Sequence, residues 1–134
     1  MSRRLDIVTE IFDDFTRNGS IEALLRHAAD DIAYNISIPP GTPISGKFIG
    51  KEGSRRYFGL VDTILETRRI NVLESIEGSN KVVVLGDEVM CVKSTGQEFF
   101  SDWCTVVGFV GEQIDRVTVI EDLSPLYSTC VAKS

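Results

Sequence analysis

The stretch from Val82 to Asp122 constrains this chain more than any other part of it. Three long runs, residues 82–94, 97–110 and 113–122, are dense in valine, phenylalanine and threonine, and Thr95-Gly96 and Gly111-Glu112 separate them. β-Branched and aromatic side chains fit a pleated, half-buried surface, and glycine reaches the positive φ that tight hairpins need. The expected result is an antiparallel meander that presents one face to the half of the chain preceding it. Function is expected in a pocket between that face and the N-terminal half. Alternation along the second run puts Phe99, Ser101, Trp103, Thr105, Val107 and Phe109 on one face. Phe100, Asp102, Cys104 and Val106 fall on the other.

A hairpin around Thr95-Gly96 places Glu88 roughly opposite Trp103 on the same face. The turn at Gly111 leaves two registers open. Three residues in that turn set Glu121 beside Trp103; two residues pair Glu121 with Asp102 on the outer face.

The N-terminal half reads differently. Leu5, Val8, Ile11, Phe12 and Phe15 recur at helical spacing, which predicts a first helix from about Arg3 to Arg17, ended by Asn18-Gly19. Ser20 is placed to cap a short second helix from Ile21 to about Ala29. Ile32, Tyr34, Ile36 and Ile38 alternate with Ala33, Asn35 and Ser37, marking a strand that Pro39-Pro40-Gly41-Thr42-Pro43 stops. After a short strand at Lys47-Phe48, a third helix is expected from Lys51 to about Thr67, carrying Tyr57, Leu60, Val61, Ile64 and Leu65. A strand from Ile70 to Ile76 leads into the meander. Residues 123–134 show no periodicity and read as a tail that docks through Leu126 and Tyr127.

Composition narrows the classes. At 134 residues the chain suits one domain, able to bury about two-thirds of the surface its unfolded form exposes. A net charge of −6 argues against a nucleic-acid partner, and the pairs Arg3-Arg4, Arg55-Arg56 and Arg68-Arg69 read as solvated element ends. No apolar run approaches the ~20 residues that span a bilayer, and no signal-peptide core is present. Cys91, Cys104 and Cys130 are odd in number and lack metal-ligand spacing, so they read as free thiols of a reducing compartment. His27 is the only histidine and has no cysteine near it, which makes zinc an unsuitable expectation. A cytoplasmic protein with no metal, cofactor, membrane or nucleic-acid partner is expected.

The order helix, helix, strand, helix, four antiparallel strands resembles the cone-shaped α+β barrel of the SnoaL-like and ketosteroid-isomerase-like proteins. These belong to the nuclear transport factor 2-like superfamily. The resemblance is carried by Asn18-Gly19-Ser20-Ile21-Glu22-Ala23-Leu24, Ala29-Asp30-Asp31, Pro43-Ile44-Ser45-Gly46, Phe48-Ile49-Gly50-Lys51-Glu52-Gly53, Thr95-Gly96, Asp102-Trp103 and residues 114–122. It implies a curved, mostly antiparallel sheet wrapped around three N-terminal helices, and a homodimer. Its members include isomerases, cyclases, hydrolases and non-catalytic binders, so the fold alone names no reaction.

Position by position, the resemblance puts Phe12, Ile36 and Thr105 where the ketosteroid isomerases carry tyrosine, base and oxyanion acid. Steroid isomerisation by that mechanism is excluded. Against the limonene-epoxide-hydrolase branch, Glu88 falls on one catalytic aspartate, while Gly86 and Val119 replace an arginine and a second aspartate. Tyr34 falls on a tyrosine if the strand is aligned from its start, and Asn35-Ile36-Ser37-Ile38-Pro39-Pro40 matches the asparagine motif if it is aligned from its end; both hold only with a one-residue gap. Phe12, Phe15, Tyr34, Ile36, Tyr57, Trp103 and Thr105 are therefore expected around a cavity for a small apolar molecule, with Glu88 as acid–base group assisted by Tyr34. Glu121 joins them if the register allows. Burial there raises a carboxylate pKa toward neutrality, as acid–base work requires. The function expected is that of a pocket protein, a cofactor-independent cyclase, isomerase or hydrolase. The alternative is a non-catalytic binder or a dimeric scaffold whose cavity is vestigial. Cys104, Val106, Phe100 and Val92 or Cys91 form the expected dimer patch on the outer face.

Overall fold

A computed structural model describes residues 2–130. Helix α1 (Arg3–Asn18) begins where the Ser2 side chain accepts the Leu5 N–H at 3.3 Å, and ends at Gly19 in the left-handed region, φ 64°. Its Ile7 and Val8 are buried. Helix α2 (Glu22–His27) follows directly. Ser20 is not its N-cap: Ile21 takes that position, while the Ser20 hydroxyl accepts from Glu22 N–H at 3.1 Å. Asp14 of α1 accepts the next free donor, Ala23 N–H, at 3.2 Å, so the first helix caps the second. Glu10 completes the tie, meeting Arg26 at 2.6 Å and His27 Nε2 at 3.0 Å.

Strands β1 (Ala28–Ile36) and β2 (Gly46–Ile49) form an antiparallel pair, and α3 (Gly50–Ile64) packs across β1. The remaining strands are β3 (Leu65–Glu77), β4 (Lys81–Val92), β5 (Glu98–Val110) and β6 (Gln113–Glu121). All six make one sheet in the order β2-β1-β6-β5-β4-β3. Every neighbouring pair is antiparallel except β1–β6, which is parallel. The sheet curves around the helices and does not close, since β2 and β3 remain its edges. Curvature has local sources: Arg68 and Leu73 on β3 and Asp115 on β6 are extra residues opposite unbroken partners, and such bulges bend a strand.

Two expectations about elements change. The third helix stops at Ile64 and β3 begins at once, because Leu65, Thr67 and Ile70 face inward opposite β4. Sheet pairing therefore overrides a helical reading of residues 65–67. The tail is ordered as α4 (Ser124–Cys130), docked by buried Leu123 and Leu126 and by the Tyr127 hydroxyl, which donates to Pro39 O. The side chain of Cys130 lies outside the described residues; Cys91 is buried and Cys104 half-buried, both as free thiols. No helix among the described residues is long and apolar enough to cross a membrane.

Candidate functional site

Strand parity builds the site. On β4 the even-numbered residues Val82, Val84, Gly86, Glu88 and Met90 are buried; on β5 the odd-numbered Ser101, Trp103, Thr105, Val107 and Phe109 are. Glu88 and Met90 of the first row and Trp103, Thr105 and Val107 of the second form the floor of a cavity of about 290 Å³, roofed by α1, α2 and α3. Ligand pockets run about 300–1,000 Å³, so the space suits a small ligand. Exposed Gly19, Gly59 and Asp62 are among its lining residues and mark an opening between the α1–α2 turn and α3.

Both hairpin registers differ from simple expectation. The β4–β5 turn is centred on Ser94-Thr95 and closed by Val92 N–H to Gln97 O at 2.8 Å. Glu88 therefore stands opposite Ser101, and Trp103 opposite Gly86, rather than opposite each other. This shift has a purpose in packing: a Cβ on Gly86 would lie 2.2 Å from Trp103 Cζ2 and 2.2 Å from Asn71 O. The indole lies in the space that glycine leaves. Its Nε1–H donates to Asp87 O at 3.0 Å, and its ring stacks on Phe12 at 5.6 Å with 4° between planes.

The β5–β6 turn has the two residues Gly111 and Glu112, with Val110 opposite Gln113. A regular ladder would then pair Asp102 with Glu121. The bulge at Asp115 shifts everything after it by one, so Trp103 pairs with Glu121 and the carboxyl faces the cavity. The sequence allows a turn of either length, and the outcome comes from a bulge beyond a two-residue turn.

Glu88 and Glu121 consequently share the cavity with six aromatic side chains. Tyr34 and Tyr57 stack at 5.0 Å, and Phe58 meets both edge-on at 5.5 and 5.0 Å. Phe15 closes on Phe58 at 5.6 Å. Glu88 is 5% exposed and its Oε2 has no hydrogen-bond partner. Burial first, then a hydrogen bond and like-charge repulsion from Glu121, push its carboxyl far above the usual range. Burial also raises Glu121, opposed by its hydrogen bond with Glu88. The pair thus holds a proton, with Glu88 the group that keeps it. Tyr34 and Tyr57 are raised as well, by burial and then by the charge of Glu121, and stay neutral donors.

Of the residues expected around the cavity, Phe12, Phe15, Tyr34, Tyr57, Glu88, Trp103, Thr105 and Glu121 line it. Ile36 does not: it is buried in the core, although its partner on β6, Val119, lines the cavity. Phe58, Asp62 and Met90 were missed. Phe58 follows Tyr57 in the helical pattern and could have been found by drawing a wider apolar face on α3. On the outer face, Phe100 is 57% exposed and Cys104 and Val106 are half-buried, but Cys91 and Val92 are buried and contribute nothing to a surface patch. Arg68, held by Glu66 at 3.2 Å and Glu98 at 3.9 Å, interacts with Cys91.

The sequence matches no protein-family profile, and no curated protein matches it. Solved structures define its class by shape: the chain has the nuclear transport factor 2-like fold, shared with SnoaL-like and ketosteroid-isomerase-like proteins. A nuclear transport factor 2-like protein of unknown function from Burkholderia pseudomallei superposes with a TM-score of 0.84 at 21% identity, covering 98% of this chain and 99% of that one. A candidate SnoaL-like polyketide cyclase from Mesorhizobium loti gives 0.76 at 16% identity, covering 89% and 98%. A Catenulispora acidiphila protein with a ketosteroid-isomerase-like fold, solved with trimethylamine, gives 0.72 at 18% identity, covering 93% and 92%.

Proposed function

We propose that this chain takes a small, largely apolar ligand into the cone and exchanges a proton with it through the Glu88–Glu121 pair. The observation that carries this is a pair of carboxyls, Glu88 and Glu121, lining an aromatic cavity, the first of them buried with an Oε2 that has no hydrogen-bond partner among the described residues. Such a pair supplies an acid and a base together: Glu88 retains the proton to give, and Glu121 is the carboxylate that receives one. Tyr34, kept neutral, assists by donating to a ligand oxygen. The reading is that of a cofactor-independent cyclase, isomerase or hydrolase. A fold neighbour solved with a small organic molecule supports the ligand-pocket half of it.

The second reading is a binder without turnover. It is favoured by Phe12, Ile36 and Thr105, which stand where the steroid isomerases keep ionisable groups and cannot exchange protons near neutral pH. Incubation with small cyclic ketones, epoxides and aromatic polyketide fragments, followed by mass spectrometry, separates the two. Under the first reading one class turns over, and Glu88→Gln lowers that rate by about 10²–10⁴. An unchanged rate in that variant ends the acid–base assignment, and tight binding without product supports the binder.

The same reading makes the protein a cytoplasmic homodimer joined through the outer face of β4, β5 and β6. Exposed Phe100 and Ile120, with half-buried Val106 and Cys104, form an apolar area there that none of the described helices covers.

A further inference from the structure

The cavity carries acid and no base. Glu88, Glu121 and Asp62 line it, and among the described residues no lysine, arginine or histidine does. The basic side chains in ion pairs are spent elsewhere, on exposed carboxylates such as Glu10, Glu22, Glu66 and Glu98. Any negative charge that this buried carboxyl pair carries is offset by no cation among the described residues. Glu88 Oε2 is in addition an acceptor without a donor, in a side chain more than nine-tenths buried. Aromatic rings flank the pair. Trp103 is the cross-strand neighbour of Glu121, and the stacked rings of Tyr34 and Tyr57 lie near enough to feel its charge.

From this arrangement we infer that the polar end of the ligand is a protonated amine, seated on the Glu88–Glu121 pair with its apolar body in the cone. The inference rests on the pocket reading above and names the ligand class for it. An ammonium N–H donates to the carboxyls of the pair, and Glu121 supplies the counter-charge. Alkyl groups on the nitrogen pack against ring faces, whose negative quadrupole attracts a cation. A neutral hydroxyl could donate to the pair but would leave its charge unmatched. A carboxylate or phosphate would add to it, so anions are rejected. Glu88 keeps its proton in this complex, and the pair remains able to act on a neighbouring atom of the ligand.

The titratable groups facing the nitrogen are few. Glu88 comes from β4, Glu121 from β6, Tyr34 from β1, and Tyr57 and Asp62 from α3; the lining residues of α1, α2, β3 and β5 carry none. Both tyrosines are held neutral. Lowering the pH therefore fills the pair with protons and weakens amine binding without affecting an apolar ligand.

The test uses the full chain and the fluorescence of Trp103, its only tryptophan. Three probes of similar size are titrated near neutral pH: N,N-dimethylbenzylamine, isobutylbenzene and phenylacetate. The amine is expected to bind at least about tenfold more tightly than the hydrocarbon, and phenylacetate more weakly than either. In Glu121→Gln, checked for folding by circular dichroism, the ratio of amine to hydrocarbon affinity falls toward one, whereas Glu88→Gln, which replaces a group that is already neutral, keeps most of it. Equal binding of amine and hydrocarbon by the unaltered chain overturns the inference and leaves the pocket reading standing. Binding of neither overturns both.

Discussion

Asp87 and Glu88 are neighbours in sequence and occupy opposite faces of β4. Asp87 points outward, opposite exposed Asp102 of β5, and takes a hydrogen bond from Asn71 Nδ2 at 2.8 Å. Glu88 points inward, opposite Ser101, among aromatic rings and without a partner on Oε2. Each face carries a pair of carboxyls. The outer pair, Asp87 and Asp102, is reached by water, where two like charges at close range cost little. The inner pair, Glu88 and Glu121, has lost its water, so the same repulsion becomes a held proton. A single step along a strand separates a surface feature from a candidate reactive centre, and the difference lies in solvent, not in residue type.

The inner face should break most easily at its tightest contact. Gly86→Val puts atoms where the Trp103 indole and Asn71 O already lie, so it should cost about 3 kcal/mol in urea unfolding and change the Trp103 near-ultraviolet signal. Retention of full stability and of that signal would show that the indole does not depend on the glycine.

Glu88→Gln should alter the response to pH rather than the fold. Glu88 binds its proton more tightly folded than unfolded, since burial raises it from 4.5. Its contribution is fully present below about pH 4.5 and is lost as pH rises toward its folded value, by about 1.4 kcal/mol for each unit of separation. The Gln variant should therefore be the more stable protein at alkaline pH, with a flatter stability curve across that window. A curve parallel to the parent would contradict the held proton.

The outer face should respond in assembly and not in folding. Phe100→Asp is expected to change stability by less than about 0.5 kcal/mol while converting a dimer to a monomer in sedimentation at micromolar concentration. A parent chain that already sediments as a monomer would end the dimer proposal. The smallest effect belongs to Asp102→Asn, which should stay within about 0.5 kcal/mol of the parent at all pH values tested. A larger change would mean that the outer pair is not solvated as its exposure indicates.

Local pattern made much of this legible. The periods of the Leu5-to-Phe15 and Ile32-to-Ile38 runs identified a helix and a strand, because the side-chain spacing of each element is set by its own backbone. Parity along β5 separated Trp103 from Asp102, and the glycine turns marked the hairpins. Eight of the nine residues expected around the cavity do line it, since an apolar face repeated on neighbouring elements has to meet itself. Tertiary structure decided the rest. Whether residues 65–67 continue a helix or begin a strand depended on β4 being there to pair with them. Ile36 went to the core rather than the cavity, although Tyr34 two residues earlier on β1 lines it, and only the packing around the strand separates the two. The Glu88–Glu121 pair itself hangs on one extra residue, Asp115, in a strand whose local pattern reads the same with or without it. A bulge shifts every later residue by one position against its partner, and that shift is a property of two strands together. Alternation along either strand alone could say that Glu121 had a face, but only the pairing could say which one.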